Sequence, residues 1–355
     1  MDLNQLLRLS VDSHASDLHI LPNHPPFNRI DGFLSPIKEK ATLSPNDTAT
    51  MIKMLLTPEQ QKEFENKLVL EFAYSTDAGN FRVSAFHQMH GVGAVFRVIP
   101  SAVPTFQALD LPPILRQVLN TSRGLFLVAG PVGSGKSTTL AALIDYVNTS
   151  RVCNILTIED PIEFVHDNKR SIISQMQVGR DTPDFATALR ASLRQDTNVI
   201  LLGELRDLET MRLALTAVET GHLVLATIHA TSAPLAINRF ADVFPADEKN
   251  YVRTLLAETL EAVICQRLVK KKNNSGRCAI FELMLISPAI QHYICQDMPS
   301  HMESAIQTGG DRGMITFESS LNRLLKENMI TEITKDMVLT EMHAFSIAGN
   351  KDPLS

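Results

Sequence analysis

A chain of 355 residues that is 44% hydrophobic and 20% charged has the composition of a globular protein of about two domains. Its net charge of −6 argues against nucleic acid as the main partner, because a phosphate-binding surface needs clustered Lys and Arg. No apolar run approaches the roughly 18 residues that cross a membrane, and the N-terminus lacks the pattern of a signal peptide. We therefore expect a cytoplasmic protein, whose four scattered cysteines form neither a zinc site nor a disulfide framework.

Residues 1–99 have the pattern of a separate α+β domain. Ser44-Pro45 and Thr57-Pro58 each place a capping residue before a proline, which is a usual start of a helix. His90-Gly91 separates two strand-like runs, which predicts a hairpin. The predicted elements are an opening helix near residues 3–9, strands at 15–21 and 26–37 with a turn near Asp31-Gly32, helices from 44 and from 57, and strands at 80–88 and 92–99.

Four prolines and little periodicity mark residues 100–113, which predicts a semi-rigid linker. From 114 to 270 strand and helix patterns alternate, as is typical of a mainly parallel sheet covered by helices. The predicted strands are 124–129, 154–159, 198–203 and 222–228, and the predicted helices are 137–148, 184–195, 208–219 and 247–268. Residues 271–355 are predicted to form a mainly helical part, with one strand after a polar turn at 270–276 and a frayed C-terminus.

The stretch GPVGSGKS at 130–137 matches the phosphate-binding pattern G-x-x-x-x-G-K-[ST] at every fixed position. A buried-strand pattern precedes it and a helix pattern follows, as the motif requires. Glycines let backbone N–H groups converge on one anion, and the helix start adds its positive end. The residues predicted to bind the nucleotide are Gly130, Pro131, Val132, Gly133, Ser134, Gly135, Lys136, Ser137 and Thr138. In such a site the lysine reaches the β- and γ-phosphates and the serine hydroxyl ligates Mg²⁺, so we predict a nucleoside triphosphate site.

Carboxylates follow two of the predicted strands, at the sheet edge where ligands bind. Glu159 ends one strand, and Glu163 follows in the loop after Pro161. ATP hydrolysis needs a group that orients or deprotonates the attacking water, which suits a carboxylate. A solvated acidic turn is the alternative interpretation. Glu204 follows strand 198–203 and takes the place of the acid that holds Mg²⁺ through water in many phosphate-loop ATPases.

Two histidines bracket the predicted strand 222–228. His222 and His229 are seven residues apart and lack metal-ligand spacing, so they do not reach one ligand from a continuous strand. His229 stands at the carboxyl end and is the better candidate for sensing the γ-phosphate. His222 stands at the opposite end, which favours a structural hydrogen bond.

Two arginine pairs complete the candidate site. Arg190 and Arg194 are four residues apart on a predicted helix, and Arg82 and Arg97 lie on the two strands of the predicted hairpin. Guanidinium groups from a neighbouring domain or subunit often stabilise the transferring phosphoryl group in ATPase rings. Spacing alone favours surface salt bridges for each pair.

Together these segments resemble the PilT-type ATPases that retract type IV pili, within the type II/type IV secretion ATPase superfamily. The resemblance covers nearly the whole chain and includes the family's Walker A, Asp-box, Walker B and His-box motifs in order. It is carried by ASDLHI at 15–20, FRVSAFHQMHGVGAVFRVIP at 81–100, GPVGSGKSTTLAALIDYVN at 130–148, ILTIEDPIEFVH at 155–166, ALRASLRQD at 188–196, VILLGELRDLETMRLALTAVETGHLVLATIHATSA at 199–233 and AIQTGGDRGM at 305–314.

The resemblance implies a role for each candidate residue. Glu163 is the implied water-activating carboxylate with Glu159 in support, Glu204 is the Walker B acid, His229 is the sensor, and Arg82, Arg97, Arg190 and Arg194 are the arginines that approach the phosphates. The implied fold is α/β, with a PAS-like α+β N-terminal domain followed by a RecA-like P-loop ATPase domain with a helical C-terminal part. ATP and Mg²⁺ are the implied substrate and cofactor.

The implied assembly is a homo-hexamer with nucleotide between the domains. Its implied place is the cytoplasmic side of the inner membrane, against the platform protein of a type IV pilus or related machine, where a paralogous ATPase is a further implied partner. The implied function is pilus retraction.

One segment departs from the family pattern. Where retraction ATPases carry A-I-R-N-L-I-R-E, residues 289–296 read AIQHYICQ, without either arginine or the final acid. A divergent paralogue with an accessory role therefore stays open. A regulatory nucleotide-binding module with little hydrolysis and a RecA-like DNA-handling motor also stay open. The tetracysteine segment and longer N-terminal region of the assembly ATPases are missing, which favours the retraction branch.

Overall fold

A computed structural model describes residues 2–30, 32–37, 41–99, 102–273 and 276–348. The chain divides into two compact units, residues 1–102 with 163–165, and residues 103–162 with 166–355. The predicted turn at Asp31, the centre of the polar turn at 274–275 and the final residues 349–355 lie outside the described residues. The predicted domain bounds at 99, 113 and 270 stay predictions.

The N-terminal unit is an antiparallel sheet with helices packed against it. Its strands have the spatial order β3-β2-β1-β6-β5-β4, and Phe81, Phe96 and Leu18 are fully buried in its core. Its elements are α1 (Leu3–Asp12), β1 (Asp17–Ile20), β2 (Phe27–Ile30), β3 (Phe33–Pro36), α2 (Pro45–Lys53), α3 (Pro58–Lys67), β4 (Val69–Thr76), β5 (Gly79–Gln88) and β6 (Gly91–Ile99). The predicted α+β character is confirmed, although β4 is not among the predicted strands.

Capping explains where α2 and α3 begin. Ser44 and Asp47 form a reciprocal capping box before α2, and Thr57 and Gln60 form another before α3. Such boxes satisfy two backbone N–H groups that a helix start leaves without intrahelical partners. The predicted helix starts at Pro45 and Pro58 are therefore confirmed.

The second unit contains a seven-stranded sheet in the order β13-β12-β7-β11-β10-β8-β9. All neighbouring pairs are parallel except β12 with β13. Its elements are α4 (Leu115–Val118), β7 (Gly124–Ala129), α5 (Lys136–Ser150), β8 (Asn154–Glu159), β9 (Ile172–Gln177), α6 (Phe185–Ser192), β10 (Val199–Leu202), α7 (Leu208–Glu219), β11 (Leu223–Ile228), α8 (Ala233–Asp242), α9 (Lys249–Thr259), β12 (Leu260–Lys270), β13 (Arg277–Leu285), α10 (Pro288–Cys295), α11 (Pro299–Thr308), a 3₁₀ turn (Gly310–Arg312), α12 (Phe317–Lys326) and α13 (Glu332–Ala348).

Helices cover both faces of this sheet. Leu125 and Leu127 of β7 pack in the same cluster as α7 and α8, whereas Phe126 and Val128 pack in the cluster that includes α5. Each fully buried side chain of this size contributes roughly 1.5–3 kcal/mol, so the continuous apolar runs of the central strands stabilise the unit. Phe106 and Leu111 are also buried in the α5 cluster, which means that the later part of the predicted linker packs within this unit.

The prediction of one long helix over 247–268 is wrong. α9 ends at Thr259, and Leu260–Lys270 is strand β12, between β7 and β13. The β-branched residues Val263 and Ile264 are fully buried there. A β-branched buried run suits a central strand, and its pairing partners are distant in sequence. Strand β9 and helix α8 are further elements that the sequence patterns do not predict.

All four cysteines carry free thiols. Only Cys265 among them is fully buried. Within the described ranges, no helix combines the length and the hydrophobicity that spanning a bilayer requires.

The half-buried carboxyl group of Glu282 gives the second unit a pH-dependent stability. Glu282 of β13 accepts a hydrogen bond from the Ala233 N–H at the start of α8, with an N···O distance of 2.7 Å. Burial raises the pKa of Glu282 to about 7. Because this pKa is higher than that of the unfolded chain, the contribution to stability is present below about pH 4.5 and is lost as the pH rises through about 7.

We expect Glu282→Gln to stabilise the protein at pH 8 relative to pH 5. The amide keeps an acceptor for Ala233 and cannot ionise. The free energy of unfolding of the variant relative to wild type should therefore rise by roughly 2.5 kcal/mol from pH 5 to pH 8. Chemical denaturation at both pH values measures this difference. Glu318→Gln, at an exposed position, is the matched control, and an equal effect of Glu282→Gln at both pH values would contradict the assignment.

Candidate active site

The parallel strands bring the predicted polar residues to one edge of the sheet. β7, β11, β10 and β8 are consecutive neighbours, and the segments at their carboxyl ends carry Gly130, His229, Glu204 and Glu159, respectively. Ligands in sheets of this type bind beyond the carboxyl ends of the strands. The topology therefore concentrates the candidate residues at a ligand-binding edge.

The glycines of the loop between β7 and α5 have positive φ angles. A Cβ atom on Gly130 would lie 2.5 Å from Ser134 Oγ and 2.6 Å from Gln266 O, so only glycine fits there. A Cβ on Gly133 would meet no atom of the described residues within 4 Å. Ser134 Oγ is buried and has no hydrogen-bond partner in the described part of the chain. A tight loop with open space at its tip and an unpaired hydroxyl fits an anionic ligand that accepts hydrogen bonds.

Lys136 begins helix α5, and its ammonium group lies inside this loop. Nζ donates to Gly130 O at 2.9 Å and to Pro131 O at 3.0 Å, and it is 3.4 Å from His229 Nδ1. The residue is only 9% exposed. These contacts hold a buried positive charge at the mouth of the glycine loop.

His229 joins Glu204 to this lysine. His229 Nε2 lies 2.9 Å from Glu204 Oε1, and Arg206 contacts the second carboxylate oxygen at 2.6 Å. Arg206 is not among the candidate residues of the sequence analysis, because its contact with Glu204 depends on where its side chain folds. The structure thus brings together Lys136, Glu204 and His229, with Arg206 beside them.

The electrostatics of this cluster define its charge state. Burial tends to raise the pKa of Glu204, but the hydrogen bond from Arg206 and the positive charges of Arg206 and Lys136 outweigh it and lower the pKa. Burial and the charge of Lys136 lower the pKa of His229. A neutral imidazole that donates through Nε2 to Glu204 and accepts at Nδ1 from Lys136 satisfies both contacts.

Gln266 supports the loop from strand β12 and is not identified from the sequence. Its Nε2 donates to Ser134 O at 2.8 Å, and Thr139 Oγ1 donates to its Oε1 at 2.5 Å. Gln266 is buried and therefore ties the loop to the first turn of α5 from within the sheet. Because this region is predicted to be helical, no sequence pattern connects it with the loop.

Ser137 and Thr138 lie half-buried in the first turn of α5. No group of three or more His, Cys, Asp or Glu side chains in the described part of the chain has the arrangement of a metal site. Mg²⁺ is typically held by one or two protein ligands together with substrate phosphates and water. The hydroxyl of Ser137 and the carboxylate of Glu204 have the hard oxygen chemistry that such an ion needs.

The carboxylates after β8 are arranged differently from each other. Glu159 Oε1 accepts from Thr157 Oγ1 at 2.7 Å and from Gln175 Nε2 at 3.3 Å. Glu163 is exposed on the segment 163–165, which is grouped with the N-terminal unit. Its role as the catalytic carboxylate stays a prediction.

The four arginines lie in ion pairs or at the surface. Arg82 contacts Glu71 at 2.7 Å, and Arg97 contacts Asp17 at 2.9 Å, both within the N-terminal unit. Arg190 is exposed on α6 and contacts Glu209. The prediction that Arg194 lies on the same helix is wrong, because α6 ends at Ser192 and Arg194 follows it on the surface. Contacts of the four arginines with phosphate stay predictions.

His222 has the structural role predicted for it. Its Nδ1 lies 2.8 Å from Ala217 O and 3.2 Å from Thr220 Oγ1 at the end of α7. These contacts fix the turn into β11, at the opposite end of that strand from His229.

Comparison with known proteins agrees with this geometry. The family described as Type II/IV secretion system protein matches residues 1–326. The type IV pilus retraction ATPase PilT of Pseudomonas aeruginosa is 48% identical over 332 residues, which are 93% of this chain and 96% of that protein. The type IV pilus ATPase PilU of the same organism is 39% identical over 332 residues, covering 93% and 87%, respectively.

A crystal structure of the pilus retraction motor PilT with bound ADP has a TM-score of 0.88 and 37% identity to this chain. The match covers 94% of this chain and 96% of that one. The predicted α/β fold, an α+β unit followed by a phosphate-loop ATPase unit, is thereby confirmed. The chain belongs to the Type II/IV secretion system protein family and is similar along most of its length to PilT-type pilus ATPases.

Proposed function

We propose that this chain is an ATP hydrolase that works as a hexameric motor and drives the retraction of a type IV pilus. The observation that carries the proposal is the cluster of Lys136, Glu204 and His229 behind a complete glycine loop, in a chain that is 48% identical to a pilus retraction ATPase. The reaction is the transfer of the γ-phosphoryl group of ATP to water.

The loop and its lysine bind the triphosphate. Backbone N–H groups of residues 130–137 and the positive end of α5 surround the phosphate oxygens. Lys136 exchanges its contacts with Gly130 O and Pro131 O for the β- and γ-phosphate oxygens. Gln266 keeps the loop in shape during this exchange, because its contacts with Ser134 and Thr139 do not involve the lysine.

Ser137 and Glu204 are the residues that would hold Mg²⁺, the serine directly and the glutamate through water. A bound Mg²⁺ supplies neutralisation of the charge on the β- and γ-phosphates. Glu204 also accepts a hydrogen bond from His229. Loss of the γ-phosphate on hydrolysis would therefore affect the position of the imidazole through Glu204.

Glu163 orients the attacking water and accepts its proton while the bond between the γ-phosphorus and the bridging oxygen breaks. Glu159 supports it from the end of β8. Positioning and charge stabilisation supply most of the catalysis in reactions of this class.

The arginines neutralise charge that develops on the γ-phosphoryl group. Arg82 and Arg97 are directly opposite each other in the β5–β6 pair. Arg82 pairs with Glu71 and Arg97 with Asp17, and in the proposed site these guanidinium groups exchange those contacts for phosphate oxygens. Arg190 and Arg194 are the second pair. We propose that a hexameric ring brings such groups to each nucleotide.

The motor acts on the cytoplasmic side of the inner membrane, against the platform protein of the pilus machine. The relationship with pilus ATPases supports this placement. Nucleic acid is not a proposed partner, because the net charge is −6 and nucleic-acid binding needs a basic surface.

The sequence of residues 289–296, which departs from the retraction pattern, favours an accessory motor as the second candidate function. Residues 289–296 lack the arginines and the acid of the retraction pattern, and they lie on and just after α10. Gln291 Nε2 donates to Ala257 O of α9 at 2.9 Å, and His292 is exposed. This helix surface therefore differs chemically from that of a standard retraction ATPase, as expected if it works beside a paralogous motor.

A deletion of the gene tests the function. We expect the deletion strain to lose surface motility and to carry excess pili, wild type to restore motility, and Lys136→Ala to fail to restore it. Pilus counts by electron microscopy and colony spreading measure this result. Normal retraction in the deletion strain would exclude the role of main retraction motor. A second deletion, of the paralogous ATPase in the same strain, would then test the accessory role.

Measurements on the purified full-length chain distinguish the proposed motor from a regulatory module and from a DNA-handling motor. A regulatory module would bind ATP with negligible turnover, whereas the proposed motor hydrolyses it. A DNA-handling motor would bind single-stranded DNA at low salt, and we expect no such binding.

A further inference from the structure

Two glutamines of strand β9 contact the backbone on both sides of residues 163–165. Gln175 Oε1 accepts from the His166 N–H at 2.8 Å. Gln177 Oε1 accepts from the Ile162 N–H with a longer N···O distance of 3.4 Å. The amides immediately before and after the segment that carries Glu163 are therefore both hydrogen-bonded to β9.

Gln175 also reaches the second carboxylate of the candidate site. Its Nε2 donates to Glu159 Oε1 at 3.3 Å, and Thr157 Oγ1 donates to the same oxygen at 2.7 Å. Thr157 pairs with Gln175 and Glu159 pairs with Gln177 across β8 and β9. Alternate residues of paired strands share one face of a sheet. The side chains of Thr157, Glu159, Gln175 and Gln177 therefore lie next to one another on the same face.

We infer that Gln175, assisted by Gln177, is a positioning residue that holds the loop after β8 and thereby sets the place of the Glu163 carboxylate. The inference rests on the proposed function, in which Glu163 orients the attacking water. An amide side chain suits this task because it offers both a donor and an acceptor without charge. A carboxylate at position 175 would repel Glu159, and an apolar side chain would release both contacts.

The segment that is held lacks regular secondary structure between Ile162 and His166. Its two flanking amides limit where Glu163 can move, since only residues 163–165 separate them. A displacement of about 1 Å of a catalytic group can lower a rate by about 100-fold. The hydrogen bonds of Gln175 and Gln177 to these amides therefore affect the chemical step, whereas ATP binding depends on the separate loop at residues 130–137.

Gln175→Met tests the inference, with Ser174→Ala as the control on the same strand. Ser174 is exposed, and its side chain points to the opposite face. We expect Gln175→Met to lower kcat by about 10- to 100-fold and to leave KM for ATP unchanged. Hydrogen exchange at the His166 amide, followed by mass spectrometry of the full-length chain, should become faster in Gln175→Met and stay unchanged in Ser174→Ala.

Gln175→Glu separates positioning from a general loss of structure. It keeps an acceptor for the His166 N–H but places a second carboxylate beside Glu159. We expect low kcat at pH 8 that recovers relative to wild type as the pH falls and the new pair takes up a proton, with His166 exchange close to wild type at the lower pH. Gln175→Met has no such group and should show no recovery.

Three results would overturn the inference. They are an unchanged kcat in Gln175→Met, unchanged exchange at His166, or a parallel change in KM and melting temperature without a specific loss in kcat. Failure of the proposed function has a different signature. If wild type does not hydrolyse ATP, the proposed function fails, while the exchange measurement still decides whether Gln175 holds the loop.

Discussion

Lys136→Ala should nearly abolish ATP hydrolysis and lower kcat by at least about 100- to 1,000-fold. The ammonium group lies within 3.4 Å of His229 and within hydrogen-bond distance of two loop carbonyls, so its removal takes away the charge that is proposed to meet the β- and γ-phosphates. Losing one preorganised donor to developing charge typically costs about this much. Steady-state ATPase activity of the purified full-length chain measures the effect.

Lys326→Ala is the matched control, because Lys326 is exposed near the end of α12 in the same unit. It should keep wild-type activity. Circular dichroism and the size of the assembly should be the same for both variants. Full turnover by Lys136→Ala in a clean preparation would refute the proposed site.

The same variant has a second consequence that does not depend on activity. Burial lowers the pKa of His229, and the charge of Lys136 lowers it further. Without that charge the pKa of His229 should rise, which a titration of the histidine signals by NMR in labelled protein would detect. An unchanged pKa would mean that the lysine and the imidazole are not coupled in solution.

Glu163→Gln should bind ATP normally but hydrolyse it about 10²- to 10⁴-fold more slowly, the range for loss of a general acid–base group. The amide keeps the size and polarity of the exposed side chain and cannot accept a proton from water. Calorimetric titration with ATP and single-turnover hydrolysis measure binding and chemistry separately.

Glu159→Gln distinguishes the two carboxylates of this loop. Glu159 Oε1 is held by Thr157 and Gln175, so we expect a smaller loss of kcat than in Glu163→Gln. Glu219→Gln, on the surface at the end of α7, controls for loss of a carboxylate elsewhere. If only Glu159→Gln bound ATP and failed to turn it over, Glu159 and not Glu163 would be the base.

The nucleotide site is predictable from the sequence because its determinants are local. Gly130, Gly133 and Gly135 adopt positive φ angles in one short loop, and the buried strand and the helix on either side follow from the neighbouring apolar patterns. Glu204 and His229 are predictable for a related reason. Each follows the end of a parallel strand, and the carboxyl ends of parallel strands meet at one edge of the sheet.

Residues that act through contacts between distant segments are not predictable in this way. Gln266 supports Ser134 from 132 residues away in sequence, and it lies on a strand whose apolar periodicity predicts a helix. The pairing of β12 with β7 and β13 overrides the helix-like apolar periodicity, because the buried β-branched residues Val263 and Ile264 suit a central strand.

Binding of a triphosphate is already implied by eight consecutive residues, since they contain the whole chemistry of the glycine loop. The side chains that hold this loop and its neighbours in place emerge only from the folded chain. Gln175, Gln266 and Glu282 belong to no motif in the sequence. They acquire their roles when folding places a donor or acceptor beside a backbone group or a carboxylate, and burial then makes an unsatisfied partner costly.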